Sequence, residues 1–173
     1  VYHENGDVYR WTKDPSYGGT IHVKHFFGFP SHLKSFPKGK DTVYAYTYVY
    51  SPQDQELDAW ISFNTTSASD NRAGASIQGQ WNANKVCNIW INDQRVPPPT
   101  WKNPGQAGKE IPLTDEVYTN REPTKIHLNE GWNKVMIQSA ATWKWSFTFS
   151  PIRWDGTMAR EVPGLKYSTD PKN

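Results

Sequence analysis

CNIWINDQRVPPPTW, Cys87 to Trp101, is the stretch whose reading decides the fold class. Cys87, Ile89 and Ile91 recur at period two, so they share one face of a strand, and Asn88, Trp90 and Asn92 take the other. Asn92-Asp93 follows, a pair tolerant of the backbone angles of a tight turn. Gln94-Arg95-Val96 starts a return strand. Pro97-Pro98-Pro99 ends it, because proline has no amide hydrogen for a ladder. The stretch therefore predicts a short hairpin, with Trp101 pointing away from the sheet at its exit.

Working outward, the same period of two recurs. Thr42–Tyr50 puts Val43, Ala45, Thr47 and Val49 on one face and Tyr44, Tyr46, Tyr48 and Tyr50 on the other. Tyrosine has an apolar body and a wet tip, so that row reads as a half-buried sheet face or as a platform for a sugar. Leu57–Phe63 alternates Leu57, Ala59, Ile61 and Phe63 with Asp58, Trp60 and Ser62, which places Trp60 outward. Thr20–Phe29, Lys125–Leu128, Trp132–Ser139 and Thr142–Phe149 complete the better strands. Long polar loops are expected over Asn64–Asn84 and Lys102–Thr124. About eight strands and no convincing helix predict an all-β chain, a β-sandwich of jelly-roll type. The sandwich is expected over residues 20–155, after a leader or inter-domain segment at 1–19. An aperiodic tail is expected over 156–173, lying on the surface or fraying.

Composition agrees with this class. The chain has 173 residues, 14% of them aromatic, with nine Trp and nine Tyr, and aromatics favour strands. The formal charge is +2 with both signs interspersed, so no basic stripe predicts a nucleic-acid partner. No apolar run approaches the ~20 residues of a spanning helix. Val1 opens a polar segment with no signal-peptide pattern, and we read the chain as a piece of a longer protein. The single cysteine, Cys87, reads as a small buried hydrophobe.

Chemistry-bearing patterns are sparse. The acidic residues sit mostly in turns, and no pair is set in an apolar run that would raise one pKa for acid–base work on sugars. No G-x-S-x-G elbow, metal-spaced histidines or phosphate loop occurs. A structural calcium could use Asp54, Asp70 or Asp115, but acidic turn residues ordinarily only make turns, and no cofactor is expected. What remains is aromatics near polar side chains. Trp60, Trp81, Trp101 and Trp132 could stack on the C–H face of a sugar, with Asp70, Arg72, Asn92 and Arg95 as partners for its hydroxyls. The same tryptophans could instead plug the ends of the sandwich or pack on another domain.

Four runs carry a resemblance: AYTYVYSPQDQELDAWISFNTTSASDNRAG from Ala45, QWNANKVCNIWINDQRVPPPTW from Gln80, EPTKIHLNEGWNKVMIQSA from Glu122 and WKWSFTFSPI from Trp143. Together they resemble the C-terminal domain of Bacteroidetes chitobiases, β-N-acetylhexosaminidases of the family 20 type. IWINDQRV and HLNEGWNKVMIQ are also similar to elements of galactose-binding-like sandwiches, although the turn here is Asn92-Asp93 where those have Asn-Gly. The resemblance implies a galactose-binding-like accessory module of a secreted, periplasmic or cell-surface glycoside hydrolase. In that family catalysis belongs to a separate barrel domain, which nothing in this chain matches. The implied partners are a glycan containing N-acetylglucosamine and the catalytic domain of the same chain. Two function classes follow: a non-catalytic carbohydrate-binding domain, or a purely structural domain that packs on the catalytic one. A self-contained enzyme is the third, least supported class.

Overall fold

The computed structural model describes residues 2–4, 7–9, 11, 13, 16, 19–21, 23, 42–63, 78–81, 86–104, 122–140 and 146–171, with backbone alone for 2–4 and 7–9. Within them lie twelve strands. β1 (Tyr2–Glu4) and β2 (Asp7–Tyr9) form an antiparallel hairpin of their own.

The first five-stranded sheet contains β3 (Thr20–Ile21), β5 (Gln55–Phe63), β8 (Thr124–Leu128), β10 (Phe147–Trp154) and β11 (Ala159–Arg160). Its order is β11-β10-β5-β8, and β3 also pairs with β10. The second contains β4 (Thr42–Ser51), β6 (Asn88–Ile91), β7 (Gln94–Arg95), β9 (Gly131–Ala140) and β12 (Lys166–Ser168), in the order β12-β4-β9-β6-β7. Every pairing is antiparallel.

One apolar core joins the two sheets. Leu57, Ala59, Ile61 and Phe63 of β5 share a buried cluster with Val49 of β4, Ile89 and Ile91 of β6, and Val135 and Ile137 of β9. These are the inward positions of the period-two pattern, and burying them from both sides makes the molecule a β-sandwich. Cys87 lies in this core, 4% exposed.

Local chemistry explains the hairpin. Asn92 and Asp93 adopt φ of 50° and 65°, the two positive values of the turn whose twist matches a two-residue hairpin. The return strand stops at Arg95, ahead of the prolines, and Val96 N–H closes it on Ile89 O at 2.9 Å.

Some expectations are corrected and others fall partly outside the described residues. Of the strand expected at Thr142–Phe149, residues 142–145, with Trp143 and Trp145, lie outside the described residues, Ser146 is not in a strand, and the strand that begins at Phe147 continues to Trp154. Pro151 sits within it, where its missing amide hydrogen takes nothing from the pairing with Ala59 that the register shows. Of the strand expected at Thr20–Phe29, Thr20–Ile21 is a strand and Val23 is not, while His22 and residues 24–29 lie outside the described residues.

The segment expected to be a loose tail contributes β11 and β12. Lys166, Tyr167 and Ser168 pair with Tyr50, Val49 and Tyr48, and Val162 is buried in the core. Asp155 starts the return by accepting hydrogen bonds from the Thr157 and Met158 amides at 2.9 and 2.8 Å. Those amides hold its carboxyl below its ordinary pKa.

Candidate functional site

The described residues among those singled out from sequence lie on separate parts of the fold. Trp60 lies on the outward face of β5 in the first sheet, edge-to-face with Trp154 at 5.3 Å between centroids. Asn92 and Arg95 belong to the hairpin of the second sheet. Asp70 and Arg72 fall outside the described residues, as does Asp115.

Trp81 and Trp101, expected on exposed loops, are 1% and 3% exposed. Trp81 packs on Phe63 with centroids 5.8 Å apart, and its indole N–H donates to Val96 O. The Trp101 indole donates to Gln80 O at 2.9 Å, and its backbone carbonyl and amide both pair with the Gln78 side chain. An indole is mostly hydrocarbon with one donor, so a loop that supplies a carbonyl buries it at little polar cost. The two rings fasten residues 78–81 to the segment following the hairpin. Neither turns a free face to solvent.

Asn92 is also committed to the fold. Its Nδ2 donates to Asn133 Oδ1 at 2.7 Å, and its Oδ1 accepts from the Lys134 amide at 3.0 Å. Asn133, fully buried, passes the bond network on by accepting from the Asn129 amide and donating to Asn129 O. The sequence reading missed Asn133. Its signal was an amide at an inward position of an alternating strand, where an unpaired polar group is costly.

The exposed aromatic surface is elsewhere, on the outward face of the second sheet. The ladder aligns Tyr44, Tyr46, Tyr48 and Tyr50 of β4 with Gln138, Met136, Lys134 and Trp132 of β9. Asn88 and Trp90 of β6 extend the rows, and Arg95 of β7 stands opposite Trp90. Tyr44 is 51% exposed and Trp132 37%, and the other tyrosines are half-buried.

Around Tyr50, Trp132 packs at 5.5 Å and the Lys166 ammonium sits 5.4 Å from the ring centroid, a cation–π distance. Trp11 meets Tyr46 edge-on at 4.7 Å and is itself 56% exposed. Lys134 is bridged to Asp93 at 2.7 Å, a bond that raises the ammonium pKa above its ordinary value. The alternative offered from sequence for the Tyr row, a sheet face with wet tips, thus coexists with accessible rings and amides.

A second polar group of side chains sits on the other sheet. His127 Nδ1 lies 2.8 Å from Glu56 Oε1, and its Nε2 faces Asn129 Oδ1 at 3.1 Å and Asp54 Oδ1 at 3.4 Å. The Glu56 bond is the main cause raising the His127 pKa. Beside it, Asp58 is held by Lys125 at 2.8 Å. A shallow depression of about 410 Å³ runs along β5 and β10, lined by Gln53, Glu56, Asp58, Arg153 and Trp154 among others. Among the described residues no group of three His, Cys, Asp or Glu side chains is placed to hold a metal ion, and no helix is long and apolar enough to cross a membrane.

The chain matches no family model, and neither the curated proteins nor the solved structures returned a similar one.

Proposed function

We propose that this domain is a non-catalytic carbohydrate-binding module that holds glycan against the outward face of its second sheet. The observation that carries the reading is the juxtaposition there of tyrosine and tryptophan rings with amide and basic side chains. A sugar ring needs both: an apolar surface for its C–H face, and donors and acceptors for its hydroxyls. Tyr44, Tyr50 and Trp132 supply rings. The Tyr44 hydroxyl and Lys166 supply polar groups, with Gln138, Asn88 and Arg95 lined up behind Tyr44. The resemblance to chitobiase C-terminal domains supports a glycan containing N-acetylglucosamine and a parent glycoside hydrolase outside the cell. A galactose-binding-like jelly roll is the finer form of sandwich this reading takes.

The second reading is a structural domain packing on the catalytic domain of the same chain. The burial of Trp81 and Trp101 weighs against the first reading, since two of the four expected stacking rings serve the core instead.

Titration of the domain's tryptophan fluorescence with chitooligosaccharides separates the two. The binding reading expects a saturable change. It also expects Trp132→Ala to weaken binding about tenfold, the stacking contribution of one aromatic being roughly 1–3 kcal/mol by analogy with aromatic–base stacking. The variant's folding stability should stay within about 1 kcal/mol of the parent, because the ring is partly exposed. Saturation that ignores Trp132 and Tyr44 would move the site off this face. No saturation with any glycan, in a folded domain, would favour the docking reading.

A further inference from the structure

One chain of hydrogen bonds crosses four strands of the second sheet. Arg95 Nε donates to Asn88 Oδ1, Asn88 Nδ2 donates to Gln138 Oε1, and Gln138 Nε2 donates to Tyr44 Oη, each at 2.9 Å. Its direction is forced. A guanidinium only donates, so Asn88 must turn its oxygen toward Arg95. Its NH₂ group then faces Gln138, which must answer with its own oxygen. The Gln138 NH₂ group is left for Tyr44, whose oxygen must accept. The Tyr44 hydrogen is therefore not used within the chain, and Tyr44 is 51% exposed.

A charged donor at one end and aligned amides between strengthen each successive bond. The face has a matching bias. Among the described residues, Arg95, Lys134 and Lys166 hold outward strand positions of this face, while Asp93, Glu130 and Asp170 sit in turns or beyond the strand ends.

Resting on the carbohydrate-binding reading, we infer that Tyr44 is a specificity-determining residue. Its hydroxyl is a fixed outward donor that selects a sugar bearing an acceptor-only oxygen, the carbonyl of an acetamido group or a carboxylate. Gln138, Asn88 and Arg95 are positioning residues that hold it in that role. A hydroxyl on the sugar can also accept, but only after turning its own hydrogen away, whereas a carbonyl or carboxylate oxygen presents its lone pairs in every orientation. An ammonium has no acceptor and is rejected.

The test uses three probes, an N-acetylated chitooligosaccharide, its fully de-N-acetylated counterpart and an oligogalacturonate, titrated calorimetrically. Tyr44→Phe keeps the ring and removes the donor. It should weaken binding of whichever acceptor-bearing probe is recognised about fivefold, one hydrogen bond's worth, and leave the de-N-acetylated probe unchanged. The sensitive probe identifies the acetamido or the carboxylate group as the source.

Asn88→Asp provides the readout of the relay. The new carboxylate still serves Arg95 but must accept from Gln138, whose amide then reverses and consumes the Tyr44 hydrogen. With the neutral N-acetylated probe it should reproduce the Tyr44→Phe loss, and the double variant should lose no more. Equal losses for all three probes, or none in Tyr44→Phe while Trp132→Ala still weakens binding, would overturn this inference and leave the binding face standing. Additive losses in the double variant would overturn the relay. A folded parent domain that binds none of the probes would remove both the face and the inference.

Discussion

The loop tryptophans and the outward residues of β4 and β9 exchange the roles their sequence contexts suggest. Trp81 and Trp101 come from polar, turn-rich stretches and are almost fully buried. Tyr44 and Trp132 come from regular strands and remain accessible. A residue in a loop is not thereby on the surface: a loop with a carbonyl to offer can close over an indole and make it part of the core. A residue in a regular strand has only half its neighbours decided by the sheet. The other half depends on what lies over the outer face, and here that face retains open rings.

The widest consequence of the contrast concerns stability. Trp81→Ala removes a fully buried ring packed on Phe63 and should cost about 3–5 kcal/mol in urea unfolding. The folded fraction should still bind glycan with parental affinity. A loss below about 1 kcal/mol would mean that the loop carries its tryptophan at the surface in solution, and the contrast would collapse.

Asn133→Ala comes next, at about 2–3 kcal/mol, because it strands the Asn92 amide group and the Asn129 backbone amide that Asn133 Oδ1 now accepts. Hydrogen exchange at the hairpin should speed up with it, since Asn92 and Asn133 link the turn to β9. An unchanged hairpin would show that its two positive-φ residues suffice without this support.

The strands were legible because period-two alternation follows directly from burying one face. β4, β5, β6, β8 and β9 begin and end within two residues of where the pattern places them. The Asn92-Asp93 turn was legible because few residue pairs accept two positive φ values. β11 and β12 were not, since strands of two and three residues have too few positions to show a period, and their pairing with distant strands is a tertiary event. The candidate surface was half legible. The four tyrosines could be assigned to one face, but whether anything covered them could not. The relay through Asn88, Gln138 and Tyr44 joins residues 44, 88, 95 and 138, which only the strand order β4-β9-β6-β7 brings side by side.

The smallest expected effect lies on the first sheet, where His127 bridges β8 to the turn before β5. Its Nδ1 faces a carboxylate and its Nε2 faces two further oxygens, so only the doubly protonated ring satisfies both sides. The folded-state pKa therefore lies above the ordinary 6.5, chiefly through the Glu56 bond. The sign follows. The stabilisation is complete below pH 6.5, where both folded and unfolded rings are charged, and it is lost as pH rises through the higher folded value. All the partners are exposed, so the effect on stability is small. NMR titration of the His127 ring should give a midpoint above 6.5, and Glu56→Gln should move it down toward that value. Glycan affinity, measured over the same range, should not follow the His127 midpoint, because the ring belongs to the opposite sheet from Tyr44. An affinity that tracked it would place the binding surface on the wrong side of the sandwich.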